Sequence, residues 1–150
     1  MTERYLLDRD VLQALENPDG NRQVRAWAET VNDDALFLSV ITVMEARKGF
    51  ARARLRVSEP RQAARIRAFA TQFDALLDAF GNRLLPIDRT VAEAWGEMLA
   101  ERETNVMDTA VAATAAIHSM IVATRNIRDF RRRGVAMIDP FKSPARMILP

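Results

Sequence analysis

The chain contains no cysteine, which excludes disulfides, thiolate nucleophiles and zinc sites of the cysteine type. Its single histidine, His118, excludes a multi-histidine metal site in the same way. No apolar stretch approaches the roughly 20 residues that a membrane span requires. The opening segment MTERYLLD reaches its acid before a signal-peptide core could form. Internal repeats, low-complexity tracts and linkers are also lacking. These absences lead to the expectation of a soluble, cytoplasmic protein with no membrane partner.

What is present is enough for one packed unit. A length of 150 residues, 49% of them hydrophobic, suits a single domain with a buried core. The expected domain spans 1–150, with its core over about 3–140 and a C-terminal tail over 141–150. Net charge is only +2, but a pI near 9.6 reflects an arginine-heavy basic set that leans toward polyanions. Arginines cluster at 47–56, 61–67 and 125–133, and each cluster alone reads as a solvated helix face.

Apolar spacing predicts alternating strands and helices. A strand over 4–7 closes at Asp8 and gives way to a helix through 11–15. Asn17-Pro-Asp-Gly20 is a turn, followed by a helix over 24–31 and a strand over 35–40. Thr42 and Glu45 have the spacing of a capping box, predicting a helix over 42–56. Pro60 opens a long helix whose stripe runs from Ala63 to Phe80 and which Gly81 ends. A strand over 84–87 precedes a helix over 90–102, with Val91, Trp95, Met98 and Leu99 facing inward. Asn105 caps an alanine-rich helix over 106–119, and small residues let that helix approach a sheet closely. Strands over 120–124 and 135–138 flank a short helix or turn over 126–133. Strands that read as continuous apolar runs between helices predict an α/β fold, a central parallel sheet covered on both faces.

Four carboxylates, Asp8, Glu45, Asp108 and Asp129, stand where apolar runs yield to helix starts or turns. Each has an ordinary explanation: Asp8 as an N-cap, Glu45 as a capping-box partner, Asp108 and Asp129 as first-turn acids after Asn105 and Asn126. Together they signify more, because α/β folds bind ligands at the carboxyl edge of the sheet. Acids converging there repel one another unless a cation joins them, and an all-oxygen set suits Mg²⁺ or Mn²⁺. Such ions commonly work with phosphates. On a helix, Lys48, Gly49, Arg52 and Arg56 share the stripe of Glu45, so positive charge would lead away from the acids along a bound phosphate backbone.

The runs Tyr5-Leu-Leu-Asp8-Arg-Asp-Val-Leu12, Ser39-Val-Ile-Thr42-Val-Met-Glu45, Asp108-Thr-Ala-Val-Ala-Ala-Thr114-Ala and Ala123-Thr124-Arg-Asn126-Ile-Arg-Asp129-Phe130 resemble the PIN-domain ribonucleases. The likeness is closest to the VapC- and FitB-like toxins of toxin–antitoxin operons. It covers nearly the whole chain in order, and Leu85-Pro-Ile-Asp88 followed by Ala94-Trp95 also looks typical. The resemblance implies a five-stranded parallel sheet flanked by helices, a homodimer, and Mg²⁺- or Mn²⁺-dependent endoribonuclease activity that inhibits translation. It implies a metal site of Asp8, Glu45, Asp108 and Asp129, supported by Thr124 and Asn126, and a cognate antitoxin that blocks it. In the mechanism it suggests, Asp8, Asp108 and Asp129 hold the ion directly or through water, while Glu45 orients or deprotonates the attacking water.

One departure stands out. The family usually reads Asp-Thr-Asn or Asp-Ser-Ser where this chain has Asp8-Arg9-Asp10. Asp10 could add a fifth acid that tightens the metal site, or Arg9 could fold over the site and compete with the ion. Two alternatives follow. One is a PIN-like module that binds RNA or a partner without cutting, because Arg9 neutralises the acids. The other is a haloacid-dehalogenase-type phosphatase with Asp8 as nucleophile and Asp10 as general acid, although no Gly-Asp-x-x-x-Asp motif follows. His118 reads as structural, Trp27 and Trp95 as core or dimer contacts, and the methionines as fillers. Glu103 is a candidate accessory acid.

Overall fold

The computed structural model describes residues 2–150. Its first strand, β1 (Tyr5–Leu7), is three residues long and buried on both faces, which only a covered sheet permits. Tyr5 and Leu7 point into one core layer and Leu6 into the other, following the two-residue period of a strand. Leu6 and Leu7 are fully buried, each worth about 1.5–3 kcal/mol of removed apolar surface.

The remaining elements follow in order: α1 (Arg9–Glu16), α2 (Arg22–Glu29), β2 (Leu36–Ser39), α3 (Val40–Arg56), α4 (Pro60–Phe80), β3 (Leu84–Leu85), α5 (Arg89–Glu101), α6 (Val106–His118), β4 (Ile121–Ala123), α7 (Ile127–Phe130), β5 (Met137–Asp139) and β6 (Arg146–Ile148). The sheet order is β3-β2-β1-β4-β5-β6. The first five strands are parallel and β6 is antiparallel to β5. The predicted five-stranded parallel sheet is therefore present, and residues read as tail add a sixth strand through the pairing Ile138↔Met147.

Helices cover both faces. Val11, Val24, Trp27, Phe73 and Phe80 from α1, α2 and α4 fill one layer with Leu36 and Leu38 of β2. Trp27 meets Tyr5 edge to face at 5.2 Å, so this tryptophan belongs to the core. The opposite layer is built mainly on α6, where Ala110, Ala112 and Ala115 are fully buried in one cluster with Leu6 and Val122. Trp95 packs against that layer and its Nε1 donates to the Val106 carbonyl at 2.9 Å.

Two caps differ from the sequence reading. Strand β2 passes directly into α3, so Ser39 is the N-cap and its Oγ accepts from the Ile41 amide at 3.1 Å. Thr42 lies one turn inside, buried, and no capping box forms with Glu45. Asn105 precedes α6 in the left-handed region (φ 49) with no side-chain cap. Its amide is committed elsewhere, as the site shows.

Candidate active site

Each of the four acids reaches one edge of the sheet by a different route. Asp8 directly follows β1, where its amide donates to the Ala123 carbonyl at 2.9 Å and ties it to β4. Glu45 projects from the second turn of α3, immediately after β2. Asp129 sits on α7, just beyond β4. Asp108 follows a different path: α6 comes after a helix, yet it leads into β4 and so begins at the edge where β4 ends.

Asp8 is buried and held from two sides. Its Oδ1 accepts from the Arg9 amide at 2.9 Å, and its Oδ2 from the Thr124 hydroxyl at 2.8 Å. Thr124 Oγ1 in turn accepts from the Asn126 amide at 2.9 Å. Asp129 is oriented by two side-chain amides, Asn105 Nδ2 to Oδ1 at 3.1 Å and Asn126 Nδ2 to Oδ2. Asp10 accepts from the Val11 amide at 2.7 Å and the Arg125 amide at 3.1 Å. Thr124 and Asn126 thus stand beside the acids. Asn105 was missed as a site residue; its one local signal, an asparagine ahead of a helix, also fits a cap.

The acids form one electrostatic group. Burial pushes the Asp108 carboxyl up to about 7, and the charges of Asp8, Asp129, Glu45 and Asp10 push in the same direction. Asp10 is raised to about 6 by burial and by Asp8. Burial also raises Asp8, against its bonds from Thr124 and the Arg9 amide. Glu45 is raised by burial and Asp8, while Arg9 and Lys48 partly offset this.

Asp8, Asp10, Glu45 and Asp108 line an open cleft of about 500 Å³ together with Arg9, Gln13, Arg125 and Asn126. Another cleft of about 510 Å³, between α2 and 142–145, gathers no acids. Among the described residues, no three carboxylates stand close enough to grip an ion with their own oxygens alone. The donor set still fits Mg²⁺, which keeps several waters and takes only one or two carboxylates. All the donors are oxygens, and their mutual repulsion is the kind a divalent cation relieves.

Lys48, Arg52 and Arg56 are exposed on α3 and, among the described residues, form no ion pair. Glu103 is exposed and does not line the cleft. His118 ends α6, where its carbonyl accepts from Arg4.

The family model for the PIN domain matches residues 5–135. The chain belongs to the PIN-domain family. Among curated relatives of this PIN domain, VapC ribonuclease Y4jK of Sinorhizobium fredii is 30% identical over 143 residues, covering 91% of this chain and 97% of the relative. Toxin FitB of Neisseria gonorrhoeae is 31% identical over 141 residues, again covering 91% and 97%. The crystal structure of FitAcB from Neisseria gonorrhoeae aligns with a TM-score of 0.77 at 29% identity, covering 91% of this chain and 98% of that one. The PIN fold and the order of its motifs thus extend through nearly the whole chain.

Proposed function

We propose that this PIN-domain chain is a divalent-metal-dependent endoribonuclease of the cytoplasm, the toxin of a toxin–antitoxin pair that inhibits translation by hydrolysing RNA phosphodiester bonds. The observation that carries the reading is the shared field of Asp8, Glu45, Asp108 and Asp129 at the carboxyl edge of a parallel sheet, beside the exposed basic residues of α3. The names of its relatives, one a ribonuclease and one a toxin, support it. No helix among the described residues is long and apolar enough to cross a membrane.

Asp8, Asp108 and Asp129 would hold Mg²⁺ or Mn²⁺ directly or through water, with Thr124 fixing Asp8 and the two asparagines fixing Asp129. When bound, the ion supplies Lewis-acid polarisation and lowers the pKa of a coordinated water. Glu45 lies at the rim, where its carboxylate orients the attacking water and accepts its proton. Lys48, Arg52 and Arg56 hold backbone phosphates leading away from Glu45 along α3. A cognate antitoxin covers the cleft, and the working unit is a homodimer. Membership of the PIN-domain family leaves the phosphatase alternative without support.

The test is cleavage of single-stranded RNA by the purified protein in Mg²⁺, with the product ends sequenced. Asp8→Asn and Asp108→Asn are each expected to abolish cleavage while circular dichroism stays that of the parent. Cleavage at the parent rate by either variant would overturn the assignment.

A further inference from the structure

Arg9 occupies the position where this chain departs from its family's usual first motif, and its side chain takes an unexpected course. The guanidinium turns away from the buried acids and lies against α3, where Nη1 donates to the Glu45 backbone carbonyl at 2.9 Å. Its other terminal nitrogen, Nη2, lies 3.0 Å from where a β-carbon on Gly49 would stand. Any side chain at 49 would push against it. The glycine in the middle of α3 is therefore the seat of an arginine 40 positions earlier in the chain.

The Arg9 guanidinium bonds to none of the acids beneath it. Among the described residues it makes no ion pair, and its only side-chain hydrogen bond goes to a neutral carbonyl. A half-buried guanidinium fixed at one end, on a residue that lines the acid cleft, is arranged to receive an anion. Lys48, one residue before Gly49, continues the positive charge along the same helix.

We propose that Arg9, seated on Gly49 and the Glu45 carbonyl, is a positioning residue that grips the RNA phosphate next to the scissile one on the Glu45 side of the cleft. The inference rests on the nuclease reading and adds to it the contact nearest the reacting bond. It also gives the departure in the first motif a use: the guanidinium supplies a phosphate contact ahead of the α3 stripe.

The experiment measures fluorescence anisotropy of a short labelled single-stranded RNA in Mg²⁺, on protein carrying Asp108→Asn so that the RNA stays intact. Adding Arg9→Gln is expected to weaken binding about fivefold or more and to make the plot of log affinity against log salt shallower by about 0.7, the share of one phosphate contact on a single strand. Gly49→Leu keeps the arginine but fills its seat, and should give a similar loss with no fall in Tm. Combined with Arg9→Gln it should add nothing further. Arg9→Lys, which keeps the charge without the fork, should recover part of the salt slope. Parent affinity and slope in Arg9→Gln would overturn the inference, as would losses from the two substitutions that multiply. A lower Tm with an unchanged slope would mark Arg9 as structural and would also overturn it. Failure of a different kind, in which the Asp108→Asn protein binds no RNA and the unsubstituted chain cuts none, would sink the nuclease reading itself.

Discussion

Asp108 is the acid that senses all the others, and this gives it a measurable signature. Burial and the neighbouring acids push its carboxyl up to about 7 in the folded chain, from near 4 when unfolded. Between those values the native state holds a proton that the unfolded state has shed, so stability falls as pH rises through the window. Asp10, raised to about 6, adds in the same direction. In chelator, Tm is expected to be lower at pH 8 than at pH 5, and Asp108→Asn should flatten the difference. Mn²⁺ should raise Tm more at pH 8 than at pH 5, since ion and proton compete for the same oxygens. Scanning calorimetry across this range checks both statements, and an equal Mn²⁺ response at the two pH values would contradict the second. Thr124 is a second test at this scale. Thr124→Val removes the hydroxyl that donates to Asp8 and accepts from the Asn126 amide, at a cost of about 1–3 kcal/mol. Because that bond lowers the Asp8 pKa, its loss should also move the acid limb of the cleavage pH profile upward. The four acids could be singled out in the sequence because each stands where an apolar run gives way to a helix start or turn. Arg9 and Asn105 were not, since the course of a flexible arginine depends on a glycine in another helix, and an asparagine before a helix reads first as a cap.

Helices were more legible than their ends. The stripe of α4 and the alanines of α6 predicted both elements closely, because one buried face repeating every three to four residues has few other readings. The start of α3 was displaced to Thr42 because two hydroxyl residues compete there, and only the absence of a loop after β2 favours Ser39. One element junction is held by a residue that sequence reading treated as surface charge. Arg133 is buried and donates to the carbonyls of Met98 at 2.6 Å, Arg102 at 2.9 Å and Thr104 at 3.1 Å, clamping the end of α5 to the turn that begins α6. That turn carries Asn105 and leads to Asp108. Replacing Arg133 with Met should therefore destabilise the fold by about 2–3 kcal/mol, as expected for lost bonds to a charged donor. It should also depress cleavage, although Arg133 does not line the cleft. Urea melts and RNA cleavage rates measured on the same preparation check this, and a variant with parent stability would show that the clamp contributes nothing.

At the scale of the whole molecule, the sequence reading missed how the sheet ends. Residues 146–148 alternate too little and are too exposed to announce a strand, yet β6 covers the free edge of β5 and Phe141 packs under Arg125 at 4.2 Å. Deleting 141–150 should lower Tm and promote self-association, because an uncovered β5 offers unpaired backbone to other chains. Static light scattering would detect this, and a monodisperse truncated protein with the parent Tm would refute it. The strand order has a further consequence. Asp8 emerges first from the ribosome, but the threonine that orients it lies 116 residues later, on the far side of the β1–β4 pairing. A nascent or prematurely released polypeptide that stops before β4 carries neither that threonine nor Asp129. On the proposed function, cleavage would therefore become possible only after β4 and α7 have been synthesised.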